Sequence, residues 1–353
     1  MKERIEGQES VKAIGADLLG IVLLGLFLVL FFNVEYFKGP ESIFRVPAAI
    51  LDVNTIFLSI VIEAIPFILI GVFASALIQI YVKEETIQRY IPKNAYAALL
   101  PATLIGLILP ICECAIIPVV RRLIKKGMPL HIGVVLLVSA PILNPVVAAS
   151  TFYAFRTNLD VLYWRMGLAF VLAMVIGAII YLLFKNKEQL KQSSEGEHDH
   201  HHHDHHHHHH HHDHDKSTIN KWKQTMYHAT DEFFDMGKYL LLGALIAALF
   251  QTFLDRQILL AIGSEVWSST IVMMLFAYIL SLCSEADAFV AASFGSTFSI
   301  GSIIAFLVYG PMLDLKNTIV MLAYFKTRFV IAFISVVTIV IFSTILFLQF
   351  FIL

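Results

Sequence analysis

Apolar residues in this chain gather in long uninterrupted runs that are separated by short polar links. A helix that crosses a bilayer needs about 20 predominantly apolar residues, and most of the runs reach that length. Backbone groups inside lipid must be hydrogen-bonded within the protein. We therefore predict an all-α polytopic transmembrane bundle of about eight or nine segments, some of them broken or re-entrant. The runs lie at 16–36, 55–82, 95–120, 129–154, 162–184, 236–254, 268–288, 299–313 and 326–352.

Composition agrees with a protein whose solvent is the lipid bilayer. The 353 residues are 58% hydrophobic and 15% charged, with a mean hydropathy of +0.75. Soluble domains average about 45–50% apolar and about 25% charged residues. The net charge of −2 argues against a nucleic-acid partner. We expect a multi-pass protein of the plasma membrane.

A weak internal repeat relates the two sides of a hydrophilic linker. Three motif positions recur at nearly the same separation, which chance similarity between apolar runs would rarely produce. The matched pairs are Gly71 with Gly243, Cys112 with Cys283 and Pro141 with Pro311, at separations of 172, 171 and 170 residues. Such repeats are common in transporters, whose site lies where the halves meet. The predicted organisation is an N-terminal helix and loop at 1–50, a first repeat at 51–184, a disordered linker at 185–230 and a second repeat at 231–353.

The run 95–120 has two possible topologies. If it crosses the membrane once, the basic links 83–93 and 121–126 lie on opposite sides. If it is a re-entrant hairpin broken at Pro110, both links lie on one side, because proline interrupts a helix. The hairpin alternative places the histidine-rich linker in the cytoplasm, since Lys and Arg mark that side.

The segment Pro110-Ile-Cys-Glu-Cys-Ala-Ile-Ile-Pro118 is the sharpest chemical signal. Glu113 stands between Cys112 and Cys114 inside an apolar run. An ionisable group at that depth costs about 2.5–3.5 kcal/mol on insertion scales, so it should face a pathway or a partner. Thiolates are soft metal ligands. The alternative is that the cysteines are small packing residues and Glu113 is an ion-pair partner.

The second repeat supplies counterparts to this segment, because Cys283 is followed by Glu285 and Asp287. These acids could instead lie at a water interface. Asn144 and Asp314 match at a separation of 170 and either line a cavity or bond between helices. Glu63 and Asp235 also match, and we interpret them as acids near helix N-termini. The predicted substrate or ion pathway comprises Cys112, Glu113, Cys114, Pro118, Asn144, Cys283, Glu285, Asp287 and Asp314.

The linker holds fourteen of the sixteen histidines between 198 and 215. Imidazoles are common ligands of zinc, copper and nickel, and a tract of this composition cannot form a core. We predict that it binds a transition-metal ion, zinc foremost, while no cofactor is required. The alternatives are a low-complexity expansion without a role and an affinity tag. The predicted ligands are Cys112 and Cys114 at the pathway, and His198, His200, His201, His202, His203, His205, His206, His207, His208, His209, His210, His211, His212 and His214 in the tract.

The segment 112–118, followed by Arg121-Arg122, Lys126-Gly127 and Ser139-Ala-Pro-Ile-Leu-Asn-Pro145, resembles the YraQ/YcgR-type predicted permeases. That family is similar to the ArsP organoarsenical permeases, which expel trivalent methylated arsenic with membrane cysteines. The resemblance implies efflux of a thiol-seeking species through Cys112 and Cys114. It also implies a second membrane-anchored subunit as partner. Because the histidine tract is not part of the arsenical pattern, we favour a zinc-like divalent metal.

The sequence therefore predicts a permease, and not an enzyme, for a thiol-seeking metal or metalloid. It contains no P-loop, so an ion gradient or a partner must drive transport, and protonation of Glu113, Glu285 or Asp287 is one source of coupling. Two alternatives stay open. One is a permease for an organic or sulfur-containing solute with the linker as a metal-responsive regulator. The other is an intramembrane thiol redox protein.

Overall fold

The computed structural model describes residues 48–82, 85, 92, 94–108, 111–185, 189–191, 214–253, 266–295 and 297–351. The predicted N-terminal span at 16–36 and the histidines from His198 to His212 lie outside these residues. Twelve helices are present in the described ranges. They are α1 (Ala48–Tyr81), α2 (Leu99–Ile108), α3 (Glu113–Lys125), α4 (Leu130–Leu143), α5 (Pro145–Ala154), α6 (Asp160–Phe184), α7 (His214–Phe253), α8 (Val266–Leu280), α9 (Asp287–Ser293), α10 (Ile300–Met312), α11 (Leu315–Tyr324) and α12 (Thr327–Phe351).

Six spans in the described part are long and apolar enough to cross a membrane, namely Ala49–Tyr81, Leu130–Ala154, Asp160–Phe184, Trp222–Phe253, Ile300–Tyr324 and Thr327–Phe351. The described residues form no strand, apart from an isolated antiparallel bridge between Leu190 and Phe325. The predicted polytopic helical bundle is confirmed. The spans α4–α5 and α10–α11 are the most buried and form the centre of the bundle.

The run 95–120 does not form one continuous helix. Its two pieces, α2 and α3, are 10 and 13 residues long, too short to cross separately. Late in α2, Gly106 lies against Ser139 near the end of α4, whereas late in α3, Ile124 lies against Gly133 near the start of α4. The chain therefore reverses between α2 and α3, as the hairpin alternative expects.

The second half repeats this arrangement around α8 and α10. Ala277 lies against Gly310, and each is 171 positions after the corresponding residue of the Gly106–Ser139 contact. The order of long helix, short helices, broken span and long helix recurs from α7 to α12. The break also recurs, because an extended Asn144 separates α4 from α5 and an extended Asp314 stands before α11.

The first helices of the two halves, α1 and α7, pack side by side in antiparallel directions. Near one end Ser75 bonds to Glu232, and near the other Phe57 and Val61 pack with Ala244 and Ala248. Among the described residues each half contributes three long spans, an odd number. The second half therefore enters the membrane in the opposite direction to the first.

One boundary differs from the sequence prediction. Helix α7 begins at His214, so residues 214–230, which we assigned to the linker, are helical. Charged residues lower the hydropathy of this stretch. It is helical all the same and contributes the buried Thr225 to the bundle.

Candidate functional site

A small cavity lies where the two halves meet, and all three cysteines of the chain line it. The cavity has a volume of about 20 Å³, which is room for about one water molecule. The cavity borders the middle of α1, the start of α3, the α8–α9 connection and α11. Its lining residues are Ile60, Glu63, Ala64, Phe67, Cys112, Glu113, Cys114, Ser281, Cys283 and Lys316.

The start of α3 brings the two neighbouring thiols together. Cys112 is the N-cap of α3, and its backbone is extended, with φ −74° and ψ 168°. The Cys112 and Cys114 side chains both line the cavity. In a continuous helix two such side chains would point apart. The break that the sequence predicted is therefore what directs both thiols to one cavity.

Lys316 crosses from the second half to the first and forms an ion pair with Glu113. Its Nζ lies 3.1 Å from Glu113 Oε1 and 3.6 Å from Asp314 Oδ2. Both side chains of the Lys316–Glu113 pair are about 95% buried. Glu113 thus has an ion-pair partner, as the structural alternative expected, and at the same time it lines the cavity beside the cysteines.

The α8–α9 connection supplies further contacts to Lys316. Its Nζ donates to the Ser281 carbonyl at 3.3 Å. Ser281 itself has φ 46°, a left-handed conformation that costs a non-glycine residue about 1–3 kcal/mol and is typical of functional sites. Two residues later, Cys283 faces the cavity and donates its S–H to Glu285. Glu285 therefore does not line the cavity itself, but it is hydrogen-bonded to Cys283, which does.

Asp287 lies away from the cavity in a second buried ion pair. Its Oδ2 is 2.7 Å from the Arg165 guanidinium, which also donates to Thr151 at 2.8 Å and to the Ser284 carbonyl at 3.3 Å. Arg165 is fully buried. The alternative that Asp287 lies at a water interface is wrong, because this pair joins α6 of the first half to α9 of the second inside the bundle.

Two predicted pathway residues have capping or packing contacts instead. Asn144 is not among the cavity-lining residues. It joins α4 to α5 instead, because its Oδ1 accepts from the Val147 N–H at 2.9 Å while its Nδ2 donates to the Ala140 and Pro141 carbonyls at 3.5 Å. Pro118 is buried in α3, where its carbonyl accepts a 3.4 Å bond from Ser75. Asp314 is a helix cap and a neighbour of the site at once. It accepts from the Asn317 N–H at 2.6 Å at the start of α11, and it also faces Lys316.

The interpretation of Glu63 and Asp235 as N-terminal acids is wrong. Glu63 lies near the middle of α1 and lines the cavity. Asp235 lies in the middle of α7 and accepts from the Tyr324 hydroxyl at 3.1 Å. The helices begin at Ala48 and His214, whereas the apolar runs used for the prediction begin at 55 and 236.

Sequence reasoning missed Lys316 and Arg165. Each is a lone cation inside or directly beside an apolar run, which is the same signal that identified Glu113. We ended the run 299–313 before Lys316, and we gave Arg165 no role. A search for intramembrane cations as partners of the intramembrane acids would have found both.

The metal ligands predicted in the linker lie outside the described residues, except His214 at the start of α7. Within the described ranges, no three His, Cys, Asp or Glu side chains lie close enough together to hold a metal ion. The cavity cysteines thus stand near one another without a preformed metal cluster in this part of the chain.

A layer of charged residues lies roughly 11 Å from the cavity along α3, because Arg121 follows Cys114 by seven residues at about 1.5 Å per residue. Glu232 of α7 accepts from Ser75 at 2.7 Å and pairs with Arg121 and Arg122 of α3. The Arg121 guanidinium lies over the Tyr324 ring, 4.1 Å from its centroid. These contacts join α1, α3, α7 and α11, and so both halves, on the side where α6 ends and α7 begins.

The fold and the buried polar site define a polytopic membrane protein of the transporter kind. Residues 49–350 match the ArsP_1 family, described as predicted permease, and the chain belongs to this family. It is 49% identical to UPF0718 protein YcgR of Bacillus subtilis strain 168, over 83% of this chain and 96% of that protein. It is 38% identical to a protein of Streptococcus mutans serotype c strain UA159 named "Putative two-component membrane permease complex subunit", over 84% and 95% of the two chains. No solved structure matches the chain.

Proposed function

We propose that this permease exports a thiol-seeking metal or metalloid species, with a zinc-like divalent metal as the favoured cargo. The observation that carries the proposal is the meeting of all three cysteines in one buried cavity between the halves, beside Glu113 and Lys316. Sulfur and carboxylate ligands together suit soft and borderline cations. Transport sites between repeat halves at the membrane midplane are common.

The test is the metal content of cells that lack or overproduce the protein, measured by mass spectrometry. Zinc, copper, nickel, cobalt and arsenic are supplied in turn. We expect one element to accumulate in cells lacking the protein and to fall when it is overproduced. Cys112→Ser/Cys114→Ser should abolish the fall, whereas replacing residues 198–213 by a Gly/Ser linker of equal length should preserve it. If no element changes, the cargo is an organic or sulfur-containing solute and the metal proposal fails.

We infer that the histidine-rich linker lies in the cytoplasm. The side of the membrane on which it begins carries many cations at the helix ends, including Lys125, Lys185, Lys326 and Arg328. The turn between α5 and α6, on the opposite side, carries one, Arg156. Cytoplasmic loops are enriched in Lys and Arg. A protease added to inverted vesicles, but not to intact spheroplasts, should cut the linker.

We also propose a second membrane-anchored subunit and proton coupling. The first rests on the printed name of the Streptococcus mutans relative. The second rests on Glu113, a buried acid at the cavity. Co-purification of the tagged chain from its native membrane tests for the subunit. Transport that is insensitive both to an uncoupler and to Glu113→Gln would overturn proton coupling.

A further inference from the structure

We propose that the Lys316 ammonium occupies the place of a cationic cargo in the substrate-free protein, so that a cationic cargo must displace it. This inference rests on the proposed function, because it describes how the cysteine site accepts a cation. Lys316 would then determine specificity. A soft divalent cation has to displace its ammonium, whereas a neutral metalloid species does not.

The surroundings of Lys316 resemble the shell of a bound cation. Its Nζ is held by Glu113 Oε1 at 3.1 Å, by the Ser281 carbonyl at 3.3 Å and by Asp314 Oδ2 at 3.6 Å. The three acceptors come from α3, from the α8–α9 connection and from the turn before α11. A buried ammonium needs such acceptors because leaving water is costly for a charge. The same acceptors would serve another cation at this position.

Further candidate ligands of a soft cation line the same cavity as the ammonium. Glu113 Oε2 is buried and has no hydrogen-bond partner in the described part of the chain. The thiols of Cys112, Cys114 and Cys283 line the same cavity. An unsatisfied buried oxygen is unfavourable, and a cation bound by this oxygen and the thiols would satisfy it. These candidate ligands therefore line one cavity with the tethered charge of Lys316, although no three of them in the described part of the chain are close enough together to hold a metal ion while the ammonium is in place.

Charge balance decides against an anion. The acids Glu63 and Glu113 line the described cavity and Asp314 lies just behind it, whereas Lys316 is its one cationic lining residue. An incoming anion would meet three carboxylates and an ammonium whose acceptors are already in place. A neutral species such as trivalent arsenic hydroxide could reach the thiols without replacing a charge. A divalent cation would gain the carboxylates, but only in competition with Lys316.

Cadmium binding to the full-length protein in lipid nanodiscs tests the displacement. The ultraviolet absorption of the cadmium–thiolate bond reports the three cysteines and is silent to cadmium on the histidine tract. We expect Lys316→Met to bind Cd²⁺ at least about tenfold more tightly, because a like charge opposing the cation in a buried site is removed. We expect Lys316→Arg to bind several-fold more weakly, because a guanidinium holds a carboxylate through two bonds. Lys223→Met, an exposed change of the same charge, should match the wild type.

The outcomes separate this inference from the proposed function. If the wild type gives thiolate absorption but neither Lys316 variant shifts the affinity as expected, displacement is overturned and the cysteine site stands. If the wild type gives no thiolate absorption, the cysteine site is overturned and the inference with it. If Lys316→Met does not fold, Lys316→Arg decides, and unchanged affinity overturns the proposal. Arsenite, which is neutral, should bind the wild type and Lys316→Met with equal affinity. If Lys316→Met bound arsenite more tightly by the same factor as Cd²⁺, the removed charge would not be the cause of the tighter binding.

Discussion

Gly71 lies so close to Ala115 that a Cβ on Gly71 would come within 2.7 Å of both the Cα and the carbonyl oxygen of Ala115. This contact presses α1 against α3 directly beside Cys114. The counterpart in the second half, Gly243, lies in the same way against the backbone of Lys316, with 3.0 Å to its carbonyl oxygen. Small residues allow helices in membranes to approach closely. The two glycines that indicated the repeat thus allow close packing next to the site, Gly71 beside Cys114 and Gly243 at Lys316.

Gly71→Ala should destabilise the protein and abolish transport. The added methyl meets backbone atoms, which cannot rotate away as a side chain can, and overpacking of this kind typically costs about 1–3 kcal/mol. Gly243→Ala should have a smaller effect, because its contacts are a few tenths of an ångström longer. The measurement is the midpoint of thermal unfolding in detergent, followed by size-exclusion chromatography.

Gly167 and Gly237 provide matched controls, because a Cβ at either position meets nothing within 4 Å. Alanine there should leave the midpoint unchanged or raise it slightly, since alanine is favoured over glycine in helices by about 1 kcal/mol. A midpoint for Gly71→Ala equal to those of the controls would refute the close packing of α1 on α3.

Much of the fold was predictable because lipid imposes a simple rule on length and hydropathy. That rule identified the apolar spans, and the prolines around Cys112 indicated the break between α2 and α3. It failed for the first part of α7, because polar and charged residues lower the hydropathy of a stretch that is nevertheless helical. Hydropathy measures the preference for lipid, and it does not measure helices that extend beyond the bilayer.

The site was predictable where chemistry and repeat agreed, and not where it depended on partners across the halves. The separation of Cys112 and Cys283 by 171 residues correctly placed both thiols at one cavity. No pattern in the sequence linked Glu113 to Lys316, which are 203 positions apart. The two alternatives for Asn144 could not be separated from sequence, because an asparagine beside a proline can line a cavity or bond between helices, and the structure shows the second.

The buried Arg165–Asp287 ion pair should stabilise the bundle only while both charges are present. Arg165→Met alone leaves a buried unpaired carboxylate, which should cost about 3–5 kcal/mol. Arg165→Met/Asp287→Leu removes both charges and should recover most of that loss, because apolar replacements of buried pairs are often neutral. Thermal unfolding of the two single variants and the double variant measures the coupling. Additive losses in the double variant would contradict the pairing.

The two helix caps at the breaks make a separate prediction. Asn144→Ala and Asp314→Ala each remove the acceptor for the first N–H groups of α5 and α11, at an expected cost of about 0.5–2 kcal/mol. Asn144→Ser keeps a capping oxygen and should retain wild-type stability. Asp314→Asn also keeps the oxygen, but it removes the charge that faces Lys316, so it should recover only part of the loss. Equal midpoints for Asn144→Ala and Asn144→Ser would show that the cap at that break contributes nothing.

The re-entrant hairpin predicts that Asn94, before α2, and Lys125, at the end of α3, face the same side of the membrane. Single cysteines at these positions, in a Cys112→Ser/Cys114→Ser/Cys283→Ser background, should react with an impermeant maleimide in inverted vesicles and not in intact spheroplasts. Thr157, in the exposed turn between α5 and α6, should show the reverse pattern and serves as the control. If the run 95–120 crossed the membrane once, cysteines at positions 94 and 125 would be labelled from opposite sides. The cavity would then face a continuous helix, and the extended Cys112 that turns both thiols inward would lose its structural basis.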